Sequence, residues 1–171
     1  IKCKLRHKYQ FNSDDKIVLI VAENLNDKRK GGEFLVQIVK SLLQLDIKII
    51  TVGGNSPFNH TGILNLGVIK NESEMAEIYN LADVFINTSL EDNFPNTILE
   101  ASSCGLPVVS FDNSGPSDFI KHKESGYLAR NRDLEDLING VKYIIDNFVN
   151  CSEKSIKQVE LECSQAIVVE K

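Results

Sequence analysis

Residues 83–100 read Asp83-Val84-Phe85-Ile86-Asn87-Thr88-Ser89-Leu90-Glu91-Asp92-Asn93-Phe94-Pro95-Asn96-Thr97-Ile98-Leu99-Glu100. Asp83 to Asn87 is predicted as a strand, because its apolar centre has no polar alternation and so suits burial on both faces. A polar turn follows. A helix is then predicted over about 95–103, with Pro95 suited to its first turn and Gly105 to its C-terminal cap. Strand, loop and helix in that order form part of a crossover unit, and the same unit recurs on both sides of this stretch.

Upstream, Ile17 to Ala22 (IVLIVA) is a second unalternating run and a buried strand. Residues 31–45 carry Phe34, Leu35, Ile38, Val39, Leu42 and Leu43 at helical spacing. Ile47 to Val52 reads as a strand, residues 53–63 as an irregular connection, and Leu64 to Ile69 as a third strand. Ser73 is expected to open a helix with Glu74 and Glu77 in its first turns and Met75, Ile78, Tyr79 and Ala82 on its apolar side. Downstream come a strand at 107–111, a short helix at 115–121, a short strand at 126–129, and helices at roughly 133–149 and 152–168. The more polar segment 151–171 is expected to be a loosely packed C-terminal helix.

Buried strands alternating with helices predict an α/β domain built on a parallel sheet covered on both faces. Right-handed crossovers and six strands favour a doubly wound, Rossmann-like sheet of order 3-2-1-4-5-6. Ligands of such sheets bind where the winding reverses, at the carboxyl ends of strands 1 and 4. The loops there are 23–31 and 88–95.

At 171 residues the chain has room for one domain, and 42% apolar with 25% charged residues is ordinary globular composition. A net charge of −5 does not suit a nucleic-acid partner. The basic cluster Lys28-Arg29-Lys30 is local and fits a small anion better. Cys3, Cys104, Cys151 and Cys163 show no CxxC pair and read as reduced thiols of a cytoplasmic protein, with Cys104 packed in the core. His7, His60 and His122 lack metal-ligand spacing, so no metal site is expected. No apolar run reaches the ~18 residues of a membrane span, and no signal-peptide pattern is present. The sequence starts on Ile rather than Met and is expected to be a fragment of a longer protein.

Chemistry-bearing residues collect at the two switch-point loops. Asp92 and Glu100 are carboxylates able to accept hydrogen bonds from vicinal hydroxyls. Taken singly, each is an ordinary solvated acid of a turn or helix. The backbone from Phe94 through Pro95 and Asn96 to Thr97 carries the unpaired first N–H groups of a helix, a place for phosphate, with Asn93 in the preceding turn. Lys30, followed by Gly31 and Gly32, supplies a cation and close backbone approach, and Arg29 is a second cation. Ser114-Gly115-Pro116 is read as a plain turn. The hydroxyls, ribose and diphosphate of a sugar nucleotide would suit this set. The sequence has no GxSxG elbow, no P-loop and no GxGxxG after the first strand, which counts against a serine hydrolase, a nucleoside triphosphatase and a simple NAD dehydrogenase.

The chain resembles the C-terminal, donor-binding domain of a retaining GT-B glycosyltransferase of the glycosyl transferases group 1 family. The resemblance runs from about Ile17 to Phe148. It is carried by Lys30-Gly31, Leu66-Gly67-Val68-Ile69, Ile78 to Phe85, Ser89 to Glu100 with Ala101, and Cys104-Gly105-Leu106-Pro107-Val108-Val109; Gly115, Asp118 and Gly126-Tyr127-Leu128 continue it. It implies transfer of a sugar from a nucleotide-diphosphate donor to a glycan or glycolipid acceptor with retention, as in polysaccharide assembly. Asp92 then stands at the family's first glutamate, contacting donor-sugar hydroxyls, and Glu100 at its second, on the ribose. Lys30 stands at the diphosphate-binding lysine. Asp92 is one methylene shorter than the usual glutamate. Asn24 and Leu25 occupy the place of the family's arginine.

The resemblance further implies no cofactor and no obligatory metal. The partner would be a missing N-terminal acceptor-binding domain, through which the protein could associate with the inner membrane face. Without that half the chain is expected to bind nucleotide and not to transfer sugar. Two other readings stay open at this point. A nucleotide-sugar epimerase would call for a histidine and acid cluster. A non-catalytic flavodoxin-like module would bind no nucleotide.

Overall fold

In the computed structural model the described residues are 2–24, 32–88, 96–113 and 115–169, with no side-chain detail for residues 23, 24, 32, 33 and 163–169. The order of elements is α1 (Lys2–Lys8), β1 (Ile17–Asn24), α2 (Gly32–Gln44), β2 (Lys48–Gly54), β3 (Ile63–Asn65), α3 (Glu72–Leu81), β4 (Val84–Asn87), α4 (Asn96–Ser103), β5 (Val108–Phe111), α5 (Pro116–Phe119), β6 (Gly126–Ala129), α6 (Leu134–Asp146) and α7 (Phe148–Val169). The strands form one six-stranded parallel sheet of order β3-β2-β1-β4-β5-β6. The doubly wound order expected from the sequence is the one observed, and the winding reverses between β1 and β4.

The unalternating strands follow from cover on both faces. Val18 and Ile20 of β1, Val84 and Ile86 of β4, and Val109 and Phe111 of β5 point into a cluster closed by Leu35, Ile38, Val39 and Leu42 of α2 and Leu137, Val141 and Ile144 of α6. Their neighbours Ile17, Leu19, Phe85 and Val108 point the other way, to Ile78, Tyr79 and Leu81 of α3, Ile98 and Ala101 of α4 and Phe119 of α5. Successive strand residues take opposite faces, so each must be apolar.

Local signals set the helix limits near the site. Asn71 caps α3, its side-chain oxygen accepting the Glu74 N–H at 3.1 Å, with Glu72 and Glu74 in the first turn. The cap is therefore Asn71 rather than Ser73, because Asn71 is the residue placed to receive the third helical N–H. At the far end of α4, Gly105 at φ 69° lets Leu106 N–H reach Ala101 C=O at 2.9 Å and Gly105 N–H reach Ser102 C=O at 2.9 Å. This Schellman closure satisfies the last carbonyls and turns the chain into β5.

Three elements differ from expectation. The edge strand β3 stops at Asn65 rather than running to Ile69. It has a single neighbour, β2, and Gly67 at positive φ turns the chain away. Residues 66–71 become a loop at the carboxyl edge of the sheet. A helix, α1, precedes β1 where none was foreseen. Its Arg6 and Lys2 both reach Asp83, at the entrance to β4. The final helices run as α6 and a longer α7, whose first turns pack on α4: Cys151 and Ser155 are buried, and Ser152 Oγ donates to Gly105 C=O at 2.6 Å.

Candidate functional site

Helices α3 and α4 lie on the same face of the sheet and both begin at its carboxyl edge. The loop leaving β3 closes the gap between them. A cavity of about 550 Å³ opens there. Ile69, Lys70 and Asn71 line it from the loop, Met75 and Tyr79 from α3, Glu100 from α4, and Cys104 from the turn that ends α4. Met75 with Tyr79, and Glu100 with Cys104, are spaced i,i+4, so each helix presents one coherent stripe to the cavity.

Glu100 sits one turn into α4 and is exposed. Its Oε2 accepts a hydrogen bond from the Tyr79 hydroxyl at 2.9 Å. Tyr79 is buried, and its ring packs edge-on against Phe85 of β4, with centroids 6.4 Å apart. Burial pushes the phenol pKa up, and the Glu100 carboxylate raises it further, so the hydroxyl is a fixed proton donor. Cys104 is half-buried. Burial raises its thiol pKa, with a further contribution from the Glu100 charge. Cys104, expected in the core, packs against it, and its position four residues after Glu100 also puts it in the cavity wall.

Of the residues singled out from the sequence, Glu100, Asn96 and Thr97 are described, all on α4. Asn96 is exposed and Thr97 half-buried in the first turn, where N–H groups lack intrahelical partners. Arg29, Lys30, Gly31, Asp92, Asn93, Phe94 and Pro95 lie outside the described residues.

Sequence reasoning did not connect Tyr79, Met75, Ile69 or Lys70 with the site. Met75 and Tyr79 were read only as the apolar side of a helix. One signal was available for Tyr79: a buried tyrosine hydroxyl needs a partner, and Glu100 lies at a comparable depth of the next helix on the same face. Among the described residues no group of His, Cys, Asp and Glu side chains forms a metal site, and no helix is long and apolar enough to cross a membrane.

A family model described as glycosyl transferases group 1 matches residues 15–147. A probable sucrose-phosphate synthase of Thermosipho melanesiensis is 29% identical over 167 residues, covering 88% of this chain and 38% of that protein. Among solved structures, a sucrose-phosphate synthase from Thermosynechococcus elongatus is similar with a TM-score of 0.80 at 22% identity, over 93% of this chain and 44% of that one. HepE of Anabaena, solved in complex with UDP-glucose, gives a TM-score of 0.77 at 18% identity, over 93% and 47%. The two solved structures share the fold, and this chain spans less than half the length of each of these three proteins. The family match takes in every strand of the sheet and every helix from α2 to α6. The chain belongs to the glycosyl transferases group 1 family.

Proposed function

We propose that the chain is the donor-binding part of a glycosyltransferase that moves a sugar from a nucleotide-diphosphate sugar to a glycan or glycolipid acceptor with retention. The observation that carries this reading is the exposed Glu100 carboxylate, anchored by Tyr79 in the wall of a cavity of about 550 Å³ beside the carboxyl edge of the sheet. Clefts of ~300–1,000 Å³ suit small-molecule ligands. In this reading Glu100 accepts the two ribose hydroxyls. Ile69 and Met75 offer apolar surface to the base. The first N–H groups of α4 near Asn96 and Thr97, together with Lys30, take the diphosphate, and Asp92 takes the hydroxyls of the donor sugar.

Charge stabilisation of a leaving diphosphate by a lysine and a helix N-terminus does in such a site what a cation does in others. We therefore expect transfer to be insensitive to chelators. The acceptor site, and any contact with a membrane surface or with glycan-assembly machinery at the cytoplasmic side, belong in this reading to a further domain. Membership of the family favours this over the epimerase and the non-catalytic module. The proteins matched are named as sucrose-phosphate synthases and as HepE bound to UDP-glucose.

The test is a thermal-shift and calorimetric panel of UDP, GDP, ADP and CMP on this chain. A nucleotide at 100 times its dissociation constant stabilises the fold by about 2.7 kcal/mol. At least one diphosphate is expected to do so, and sugar transfer by these residues alone is not. Absence of any shift would favour the non-catalytic module.

A further inference from the structure

We infer that Tyr79 is a positioning residue for Glu100, and that the pair makes the cavity selective for an intact ribose diol over a deoxyribose. The inference rests on the donor-site reading and adds to it the residue that sets the carboxylate's orientation.

A glutamate on an exposed helix face samples many rotamers, and binding a ligand through it requires freezing them. Here one oxygen is already held. The Tyr79 hydroxyl is 2.9 Å from Oε2, and the tyrosine is fixed along its whole length. It is only 3% exposed, lies in the core among Ile78, Leu81 and Phe85, and meets the Phe85 ring edge-on. Burial and the neighbouring carboxylate both raise the phenol pKa, so Tyr79 keeps its proton and always presents a donor. Glu100 Oε1 receives no side-chain or backbone donor among the described residues.

The consequence is geometric. With Oε2 tied to the floor of the cavity, Oε1 and the remaining lone pair of Oε2 are left for two further donors. Two adjacent hydroxyls on one ring fit such a pair, and a sugar lacking them leaves both sites to water. Pre-orienting the carboxylate removes part of the ordering cost of binding, and this gain falls on the diol alone. Tyr79 touches no ligand in this scheme and acts through Glu100.

The experiment compares Tyr79→Phe and Glu100→Ala, alone and combined, with the unsubstituted chain. Dissociation constants are measured for UDP, GDP and ADP and for the 2′,3′-dideoxy form of each. Tyr79→Phe keeps the ring and its contact with Phe85. Its lost partner is an exposed carboxylate that water can satisfy, so the fold is expected to hold, and unaltered affinity for the dideoxy nucleotide serves as the control. Tyr79→Phe is expected to weaken the tightest ribonucleoside diphosphate about tenfold, the scale of one net hydrogen bond. The dideoxy form should change less than about twofold, and Tyr79→Phe should do nothing further once Glu100 is alanine. If both nucleotides weaken equally, or if the ribose preference survives Tyr79→Phe while Glu100→Ala abolishes it, Tyr79 is merely structural and the inference is overturned. If Glu100→Ala leaves the preference intact, or no diphosphate binds at all, the donor-site reading itself fails.

Discussion

Arg6 and Asp83 lie 77 residues apart in sequence and meet at the mouth of the sheet, Arg6 Nη2 standing 2.9 Å from Oδ1 and 2.8 Å from Oδ2. The same Oδ2 accepts the Ile17 N–H at 2.8 Å, and Lys2 Nζ lies 2.7 Å from Oδ1. One carboxylate thus ties α1 to the first residue of β1 and to the approach of β4. These are the two strands whose far ends flank the winding reversal. Arg6 also donates to the Ser13 carbonyl and is itself buried.

Removing Asp83 leaves the guanidinium and the Lys2 ammonium without their carboxylate. Breaking one side of a buried pair costs about 3–5 kcal/mol. Asp83→Ala is expected to lower stability by that amount in urea denaturation. Adding Arg6→Met should recover part of the loss, because the stranded charge goes with it. A double substitution as costly as the sum of the singles would show that the two residues do not cooperate.

Gly53, at the end of β2, has φ 137°, and a Cβ built on it would sit 1.6 Å from the Ala22 carbonyl oxygen of β1. No side chain fits there without parting the two strands. The register between β1 and β2 shifts just here, between Val21 and Asn24. Gly53→Ala is expected to cost about 4 kcal/mol or more, combining a disfavoured backbone with a clash that only backbone movement relieves. A loss under about 1 kcal/mol would mean that the strand ends can part cheaply.

The sheet order was legible because its evidence is collective. Short apolar runs, helices of regular spacing between them, and the handedness of crossovers leave few topologies. Element ends near β3 were not legible, since an edge strand with one neighbour can stop wherever a turn is cheaper. Helix α1 was missed for a different reason. Lys2–Lys8 carries few apolar residues, and what fixes it is an ion pair with a residue far along the chain. At the site, Glu100 could be singled out by its place on the helix that follows the switch-point loop, with its ribose role implied by the family resemblance. Tyr79 offered a weaker signal: a buried tyrosine hydroxyl needs a partner, but an apolar stripe looks the same whichever partner that is. The carboxylate and its holder come from consecutive helices, and only their packing brings the two together.

Asp136 offers a pH-dependent test away from the cavity. Its carboxylate accepts the Arg130 N–H at 2.8 Å and the Tyr127 hydroxyl at 2.9 Å. The Arg130 backbone N–H is the main cause holding its pKa below the ordinary carboxylate value; the Tyr127 hydroxyl and the Arg130 side chain add to the effect. A depressed folded-state pKa contributes stability that is fully present above the unfolded value of about 3.9 and is lost as pH falls through the folded one. Asp136→Asn is therefore expected to destabilise at pH 7 by about 1.5–3 kcal/mol, the scale of a hydrogen bond to a charged group. The difference from the unsubstituted chain should shrink below about pH 4. A penalty that stays constant from pH 7 to pH 3 would point to packing rather than charge.

Cys104 reports on the cavity without altering it. Its thiol lies in the wall beside Glu100, and burial followed by the Glu100 charge raises its pKa, so little thiolate exists at neutral pH. Cys3 is exposed on α1, and Cys151 is buried where α7 packs, with its own pKa raised mainly by burial. Alkylation followed by peptide mass spectrometry at pH 7.5 is expected to label Cys3 first, Cys104 more slowly, and Cys151 only on unfolding. Raising the pH toward 9 should speed labelling of Cys104, since burial keeps most of its thiol protonated at pH 7.5. A nucleoside diphosphate that occupies the cavity covers Cys104 and leaves Cys3 open, so it should slow labelling at the first and not at the second. Equal protection of both would mean that the ligand tightens the whole fold rather than filling the space between α3 and α4. Protection of neither, under conditions where calorimetry shows binding, would place the ligand elsewhere on the molecule.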